Sequence, residues 1–192
     1  MTNRPRVLAA LLAAVFLLAA LPSLAQTVTR GPFLQIARSD GMTVRWRTSP
    51  AADGRVWYGP SPASLTQWVD DPVSAQEHAI TITGLSPDTR YYYAVGTTTT
   101  QLAGADSLHW FETSPPVGST DPVRMWILGD SGLAGPNQNA VRDAYLAYAG
   151  ASDTDVWLML GDNAYNAGTD AEFTAGLFAP YASPLRTMPL WP

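Results

Sequence analysis

Two apolar runs in the second half of the chain each end in Gly-Asp. The first is Val123-Arg124-Met125-Trp126-Ile127-Leu128-Gly129-Asp130, and the second is Asp155-Val156-Trp157-Leu158-Met159-Leu160-Gly161-Asp162. Two carboxylates brought together repel each other unless a cation lies between them. A bridging metal pair resolves that repulsion and opens the way to metal-assisted hydrolysis. Tyr165, three residues after Asp162, adds a third oxygen. Each Gly-Asp taken singly is also an ordinary turn, because Asp accepts hydrogen bonds from turn N–H groups. Tyr165 taken singly also reads as a half-buried core aromatic.

The elements that must carry these residues follow from the pattern. Each run is short, bounded by turn residues and too apolar to keep one face in water, so each reads as a buried strand. The aspartates lie 32 residues apart, which suits a strand–helix–strand unit with parallel strands. Both carboxylates then emerge at the C-terminal edge of one sheet, where open α/β sheets bind ligands. Between them, Pro136-Asn137 opens a helix in which Val141, Tyr145 and Tyr148 recur at helical spacing, and Gly150 ends it. After Asp162, Ala171 to Phe178 is expected to form one or two helical turns, and the prolines from Pro180 onward break any longer helix.

The first half reads differently. Arg4 and Arg6 precede an apolar run from Val7 to Leu21 and then Pro22-Ser23-Leu24-Ala25. That is the pattern of a secretory signal peptide over residues 1–25, with cleavage after Ala25. It predicts an exported protein, periplasmic or extracellular, with no membrane attachment after cleavage. The chain has no cysteine, which excludes disulfides and thiolate metal sites. Its net charge is −5, and all eleven basic residues are Arg. An acidic chain without a basic cluster argues against nucleic-acid binding.

From Thr27 onward the chain alternates with period two. Expected strands are Thr27–Ala37, Met42–Arg47, Arg55–Tyr58, His78–Thr83, Tyr91–Val95 and Leu108–Thr113. Ser49 to Gly54 reads as a turn and Ser61 to Pro72 as a loop. Leu85-Ser86-Pro87-Asp88-Thr89-Arg90-Tyr91 reads as a tyrosine corner, in which the phenol turns back onto the backbone before it. About seven short strands in some 90 residues point to a β-sandwich. The stretch 26–114 resembles a fibronectin type III module. Residues 115–122, rich in Pro, Gly and Ser, read as a linker to a second domain over 123–192.

Gly129-Asp130-Ser131-Gly132 and Gly161-Asp162-Asn163-Ala164-Tyr165 resemble the G-D-x-G and G-D-x-x-Y motifs of the purple acid phosphatases, which belong to the calcineurin-like metallophosphoesterases. Arg30-Gly31-Pro32-Phe33-Leu34-Gln35 and the sandwich resemble the N-terminal domain of the same enzymes. The resemblance implies a two-domain chain, with an all-β fibronectin type III-like sandwich followed by the first part of an α/β metallophosphoesterase domain, a truncated αββα sandwich. It implies that Asp130 binds a first metal, Asp162 bridges two, and Tyr165 binds the first as a phenolate. Many relatives carry a His where this chain has Gly132. A hard anionic oxygen in its place favours Fe(III), so the implied centre is Fe(III) with Fe(II), Zn(II) or Mn(II). The implied reaction is hydrolysis of small-molecule or protein phosphate monoesters.

The motifs G-N-H-[DE], V-x-x-H and G-H-x-H of that family do not occur in this sequence, and its two histidines, His78 and His109, lie in the sandwich. The expectation is therefore the front portion of a longer enzyme whose catalytic His residues lie beyond Pro192. These residues by themselves would then contain no catalytic group and show little activity. Two other functions compete. Ser131 in Gly129-Asp130-Ser131 has the spacing of a G-D-S-L ester hydrolase, but the Asp-x-x-His which that chemistry needs is missing. An exported binding or adhesion module would use the sandwich alone.

Overall fold

The computed structural model describes residues 25–150 and 154–192. The expected signal peptide falls on residues 1–24, outside the described residues, with only Ala25 inside them.

Six strands build the first part: β1 (Thr27–Arg38), β2 (Gly41–Gly59), β3 (Gln67–Thr83), β4 (Arg90–Gly96), β5 (Gln101–Gly104) and β6 (Trp110–Glu112). All pair antiparallel in one sheet ordered β1-β2-β4-β5, with β3 also on β2 and β6 on β4. The sheet curls into a sandwich around Leu34, Met42, Val44, Trp46, Val56, Ile80, Ile82, Tyr93, Val95 and Phe111. Alternation explains the inward set, since Met42, Val44 and Trp46 are fully buried while Arg45 and Arg47 on the opposite face are only half-buried. Thr43 on that face is buried as well, its hydroxyl paired with that of Thr81.

Two sequence expectations fail here. Ser49–Gly54 is not a turn between two strands, and β2 runs through it as a single strand. Likewise Ser61–Pro72 is not all loop, because β3 begins at Gln67. The reason is long-range pairing. Trp57 pairs with Trp68 and Arg55 with Asp70, and the proline and glycine of Ser49–Gly54 are absorbed as register shifts between Arg47 and Gly54. Arg55 also grips Asp70 with two hydrogen bonds, of 2.5 and 2.7 Å.

The tyrosine corner forms as expected. Ser86 N donates to the Tyr91 hydroxyl at 3.1 Å, and the Tyr91 ring packs on the sandwich core. Tyr91→Phe keeps the ring and orphans one backbone donor. The expected cost is about 1 kcal/mol of stability, read as a lower urea midpoint at unchanged slope. A midpoint equal to the parent's would show that water replaces the phenol without loss.

The second part has parallel pairing. Strands β7 (Met125–Leu128) and β8 (Val156–Met159) run side by side in parallel, joined by helix α1 (Pro136–Ala149), as the 32-residue spacing predicts. Helix α2 (Asp170–Phe173) continues into a π turn at Thr174–Phe178, followed by a 3-10 turn at Pro184–Arg186 and strand β9 (Leu190–Trp191), parallel to β8. Trp126 stacks on Trp157 at 4.6 Å and on Tyr145 at 4.0 Å, and Tyr181 meets both tryptophans edge-on.

Two expectations about this part also change. Strand β7 is not buried on both faces, since Trp126 is inside while Met125 and Ile127 are about half exposed. Among the described residues no layer covers that face. On α1 only Tyr145 of the three spaced apolar residues packs inward; Val141 and Tyr148 are exposed, and the buried residue is Gln138.

The two parts share side chains. Phe33 of β1 belongs to the second core and meets Phe178 at 5.1 Å, while the Tyr93 hydroxyl donates to the Arg186 carbonyl at 2.9 Å. Arg47 donates to both carboxylate oxygens of Asp170, at 2.9 and 2.7 Å. Arg30 reaches the same carboxylate at 2.9 Å and lies over the Phe178 ring.

Arg47, reinforced by Arg30, holds the Asp170 carboxyl well below its usual range. A depressed carboxylate stabilises the fold above its unfolded pKa of about 3.9, and the benefit fades as pH falls through the folded value. Asp170→Asn is therefore expected to lower stability at pH 7, with the deficit shrinking as pH drops below about 4. Urea melts at neutral pH and at two successively more acidic values check this, and a deficit constant with pH would dismiss the clamp. The pair is exposed, so added salt should also reduce the deficit.

Candidate metal centre

The two Gly-Asp turns meet because β7 and β8 are parallel neighbours that end together. Their backbones interlock beyond the ladder. Leu160 N donates to Leu128 O at 2.9 Å, Asp130 N to Gly161 O at 3.2 Å, and Gly132 N to Asp162 O at 2.8 Å. Asp130 and Asp162 adopt the same left-handed backbone, each with φ of 53°. Non-glycine residues rarely take that conformation, and Asp is among those that tolerate it. Paired strained aspartates at one sheet edge are the kind of feature that gathers at functional sites.

Tyr165 closes the group. Its hydroxyl lies 2.8 Å from Asp130 Oδ1 and 2.6 Å from Asp162 Oδ2. Both aspartates are exposed and Tyr165 is half-buried. The hydrogen bond to Asp162, then that to Asp130, pushes the Tyr165 phenol well above its ordinary pKa. A phenol has one proton to donate, so it satisfies one carboxylate at a time and leaves the other facing oxygen. Three hard oxygen donors sharing one proton fit a cation that would displace it. All three residues singled out from sequence are thus brought together. Among the described residues, no cluster of three or more His, Cys, Asp or Glu side chains offers another metal site.

Ser131 does not share this opening. It is buried, its hydroxyl has no hydrogen-bond partner, and its carbonyl accepts from Gln138 Nε2. A serine nucleophile needs a base within reach. His78 instead stacks on Trp46 inside the sandwich, and His109 bonds Asp106 at 2.8 Å. The geometry therefore favours the aspartates and Tyr165 over Ser131. Pro192, the residue beyond which the sequence reading expects the catalytic histidines, is exposed just after β9. It lines a groove with Arg30, Phe33 and Leu190 and takes no part in the Asp130–Asp162–Tyr165 group.

Sequence reasoning missed the residues that hold the loop after Asp162. Glu172 accepts from Asn166 N at 2.6 Å, Ala167 N at 3.1 Å and Thr169 N at 2.8 Å. Those backbone bonds, led by Thr169, hold its carboxyl below the ordinary value. Thr169 and Glu172 form a capping box at the start of α2, and the spacing Thr169-x-x-Glu172 was a readable signal for it. Gln138 was also missed; its amide donates to the carbonyls of Ser131 and Gly176 and ties the first turn to the π turn.

Residues 30–114 match the family described as Purple acid Phosphatase, N-terminal domain. No curated protein matches the chain. Among solved structures, that of PhoD aligns with a TM-score of 0.60 at 14% identity, over 82% of this chain and 37% of PhoD. The chain thus spans little more than a third of PhoD, and at that identity the likeness is one of fold. The sensor domain of the anti-sigma factor RsgI4 of Pseudobacteroides cellulosolvens aligns at 10% identity, over 52% of this chain and 97% of that one, with a TM-score of 0.36. The sixth fibronectin type III domain of human fibronectin type III domain containing protein 3 aligns at 19% identity, over 48% of this chain and 90% of that one, with a TM-score of 0.33. Residues 30–114 thus form a purple acid phosphatase-like N-terminal portion.

Proposed function

We propose that the chain serves a metal-dependent phosphoesterase of the purple acid phosphatase type, acting on phosphate monoesters outside the cytoplasm. The observation that supports this most is the Tyr165 hydroxyl, set between the carboxylates of Asp130 and Asp162 at 2.8 and 2.6 Å. In this reading Asp130, Asp162 and Tyr165 would hold the metal centre, with Asp162 the residue that would be shared between two ions, and residues 123–192 would begin an α/β metallophosphoesterase domain. The sandwich of residues 26–114 is the accessory domain, joined through 115–122. Export rests on the apolar segment that follows Arg4 and Arg6.

A bound Fe(III)–M(II) pair would supply Lewis acidity toward phosphoryl oxygens and acidify a water enough to attack phosphorus. The chain's own residues do the rest. Asp130 and Asp162 present anionic oxygen at one sheet edge, and Tyr165, whose hydroxyl lies within hydrogen-bond reach of both, would be the third donor once a cation displaced its proton. The parallel strands fix the spacing of the two turns before any ion arrives, which lowers the ordering cost of binding.

Three donors suffice to hold one hard cation and fall short of a complete ligand set for two. The expected result is therefore uptake of about one ferric ion per chain, with negligible turnover of p-nitrophenyl phosphate by these residues alone. Metal content after dialysis against ferric ion, supplied as a weak chelate, tests it. A chain that takes up no ion, or equal uptake by an Asp130→Asn, Asp162→Asn double variant, would overturn the reading and leave the sandwich as a binding module.

A further inference from the structure

The loop that carries Tyr165 has almost no regular structure. Between Asp162 and Thr169 the backbone forms bends only. Its amides nevertheless have a common acceptor. Asn166 N bonds Glu172 Oε1, while Ala167 N, Thr169 N and the Thr169 hydroxyl all bond Glu172 Oε2, the last at 2.9 Å. Four donors converge on one carboxylate. An ordinary capping box uses that side chain for a single backbone N–H, so the bonds to Asn166 and Ala167 go beyond what the helix start requires. Asn166 N belongs to the peptide that follows Tyr165, so its bond fixes the backbone at the Tyr165 Cα.

Glu172 is itself held in place. It sits two residues after Asp170, which Arg47 and Arg30 of the sandwich grip. Thr174, two residues further on, accepts from Arg30 at 2.6 Å. The chain of contacts runs from the sheet through Asp170 and Glu172 to the loop, and ends at the Tyr165 hydroxyl between the two aspartates.

We propose that Glu172 is a positioning residue for Tyr165, a carboxylate that shapes the 166–169 loop so that the phenol reaches Asp130 and Asp162. The inference rests on the metal-centre reading for its consequence and on the hydrogen bonds alone for its geometry. The sandwich then takes part in the site, because it anchors the helix that holds Glu172. Partners that orient a ligand from one bond away commonly change metal affinity about ten- to a hundredfold when removed.

Two readouts separate this inference from the reading beneath it. The first uses the metal-free chain with ring-labelled tyrosine, the Tyr165 resonance being identified by its loss in Tyr165→Phe. Glu172→Ala is expected to move that resonance to the position of a free, exposed tyrosine, and Glu172→Gln to move it part of the way. Asp143→Asn, the same loss of charge on an exposed helix position, is expected to leave it in place. The second readout is titration with ferric nitrilotriacetate. Glu172→Gln is expected to weaken ferric binding about tenfold or more and to shift the visible band, with only a modest fall in thermal melting, since the amide keeps one oxygen to accept the loop's N–H groups. An unmoved Tyr165 resonance in Glu172→Ala overturns the positioning role even if ferric ion binds. A moved resonance in a chain that shows no ferric band upholds the positioning role and sinks the metal reading instead.

Discussion

Asp162→Asn is expected to lower ferric affinity by more than about a hundredfold, a larger effect than removing a partner one bond further out, whereas Tyr165→Phe abolishes the visible band. The two losses differ in kind. Asp162 lies just past the end of β8, and one carboxylate oxygen already meets the phenol. An amide there keeps the shape and loses the anion, and a neutral amide binds a hard cation poorly. Tyr165→Phe keeps the ring and loses only the oxygen, so the fold is untouched. Visible colour needs electron transfer from phenolate to Fe(III), which neither carboxylate supplies. Without metal, Asp162→Asn is expected to cost no stability. Asp130 and Asp162 share one proton from Tyr165, and Asp162→Asn removes one of two repelling charges. The metal-free variant should thus melt at the parent's temperature or above it. Absorbance during ferric titration and metal-free melting curves check both halves. A full band in Tyr165→Phe would make Tyr165 a plain aromatic, and unaltered ferric affinity in Asp162→Asn would make the Gly-Asp turns structural.

The meeting of Asp130, Asp162 and Tyr165 was legible in the sequence because its signals are local. Strand, Gly-Asp, helix and strand follow one another closely, and the handed crossover leaves little freedom in where the aspartates end up. The sandwich was legible as a class for the same reason, through alternation and the corner at Leu85–Tyr91. What failed depended on distant partners. Pro50 and Gly54 carry turn signals, but β2 passes through them because β3 and β4 pair with its far half. The spacing of Val141, Tyr145 and Tyr148 promised one apolar face, yet only Tyr145 meets Trp126. Gln138 is buried instead because two backbone carbonyls need its amide. Glu172 was local and still overlooked, since its part in the loop shows only when Asn166 and Ala167 are seen to turn their N–H groups toward it.

Gly132→Ala is expected to cost about 3 kcal/mol, at the upper end of overpacking in a tight core, while Gly129→Ala in the same turn is nearly neutral. Both add one methyl to the same turn, and the difference is what the methyl meets. At Gly129 the nearest atom is the Leu160 Cβ at 3.5 Å, an ordinary contact. At Gly132 a Cβ would stand 2.3 Å from Ala164 N, 2.3 Å from the Asn163 carbonyl carbon and 2.6 Å from Asp162 O. All three are backbone atoms, far inside the ~3.5 Å of a favourable contact, and no rotamer change can move them aside. Retreat is blocked too, because Gly176 packs so closely on the other side that a Cβ built there would lie 2.4 Å from Gly132 O. The methyl must therefore lift the 162–164 backbone, break the 2.8 Å bond from Gly132 N to Asp162 O, and carry Asp162 and Tyr165 away from Asp130. The same crowding leaves no room for a larger side chain at position 132. Urea melts and ferric titration of the two variants give the comparison. Equal stability and equal ferric affinity in Gly132→Ala and Gly129→Ala would mean that the loops yield freely, and that close backbone approach does not set the spacing of the two aspartates.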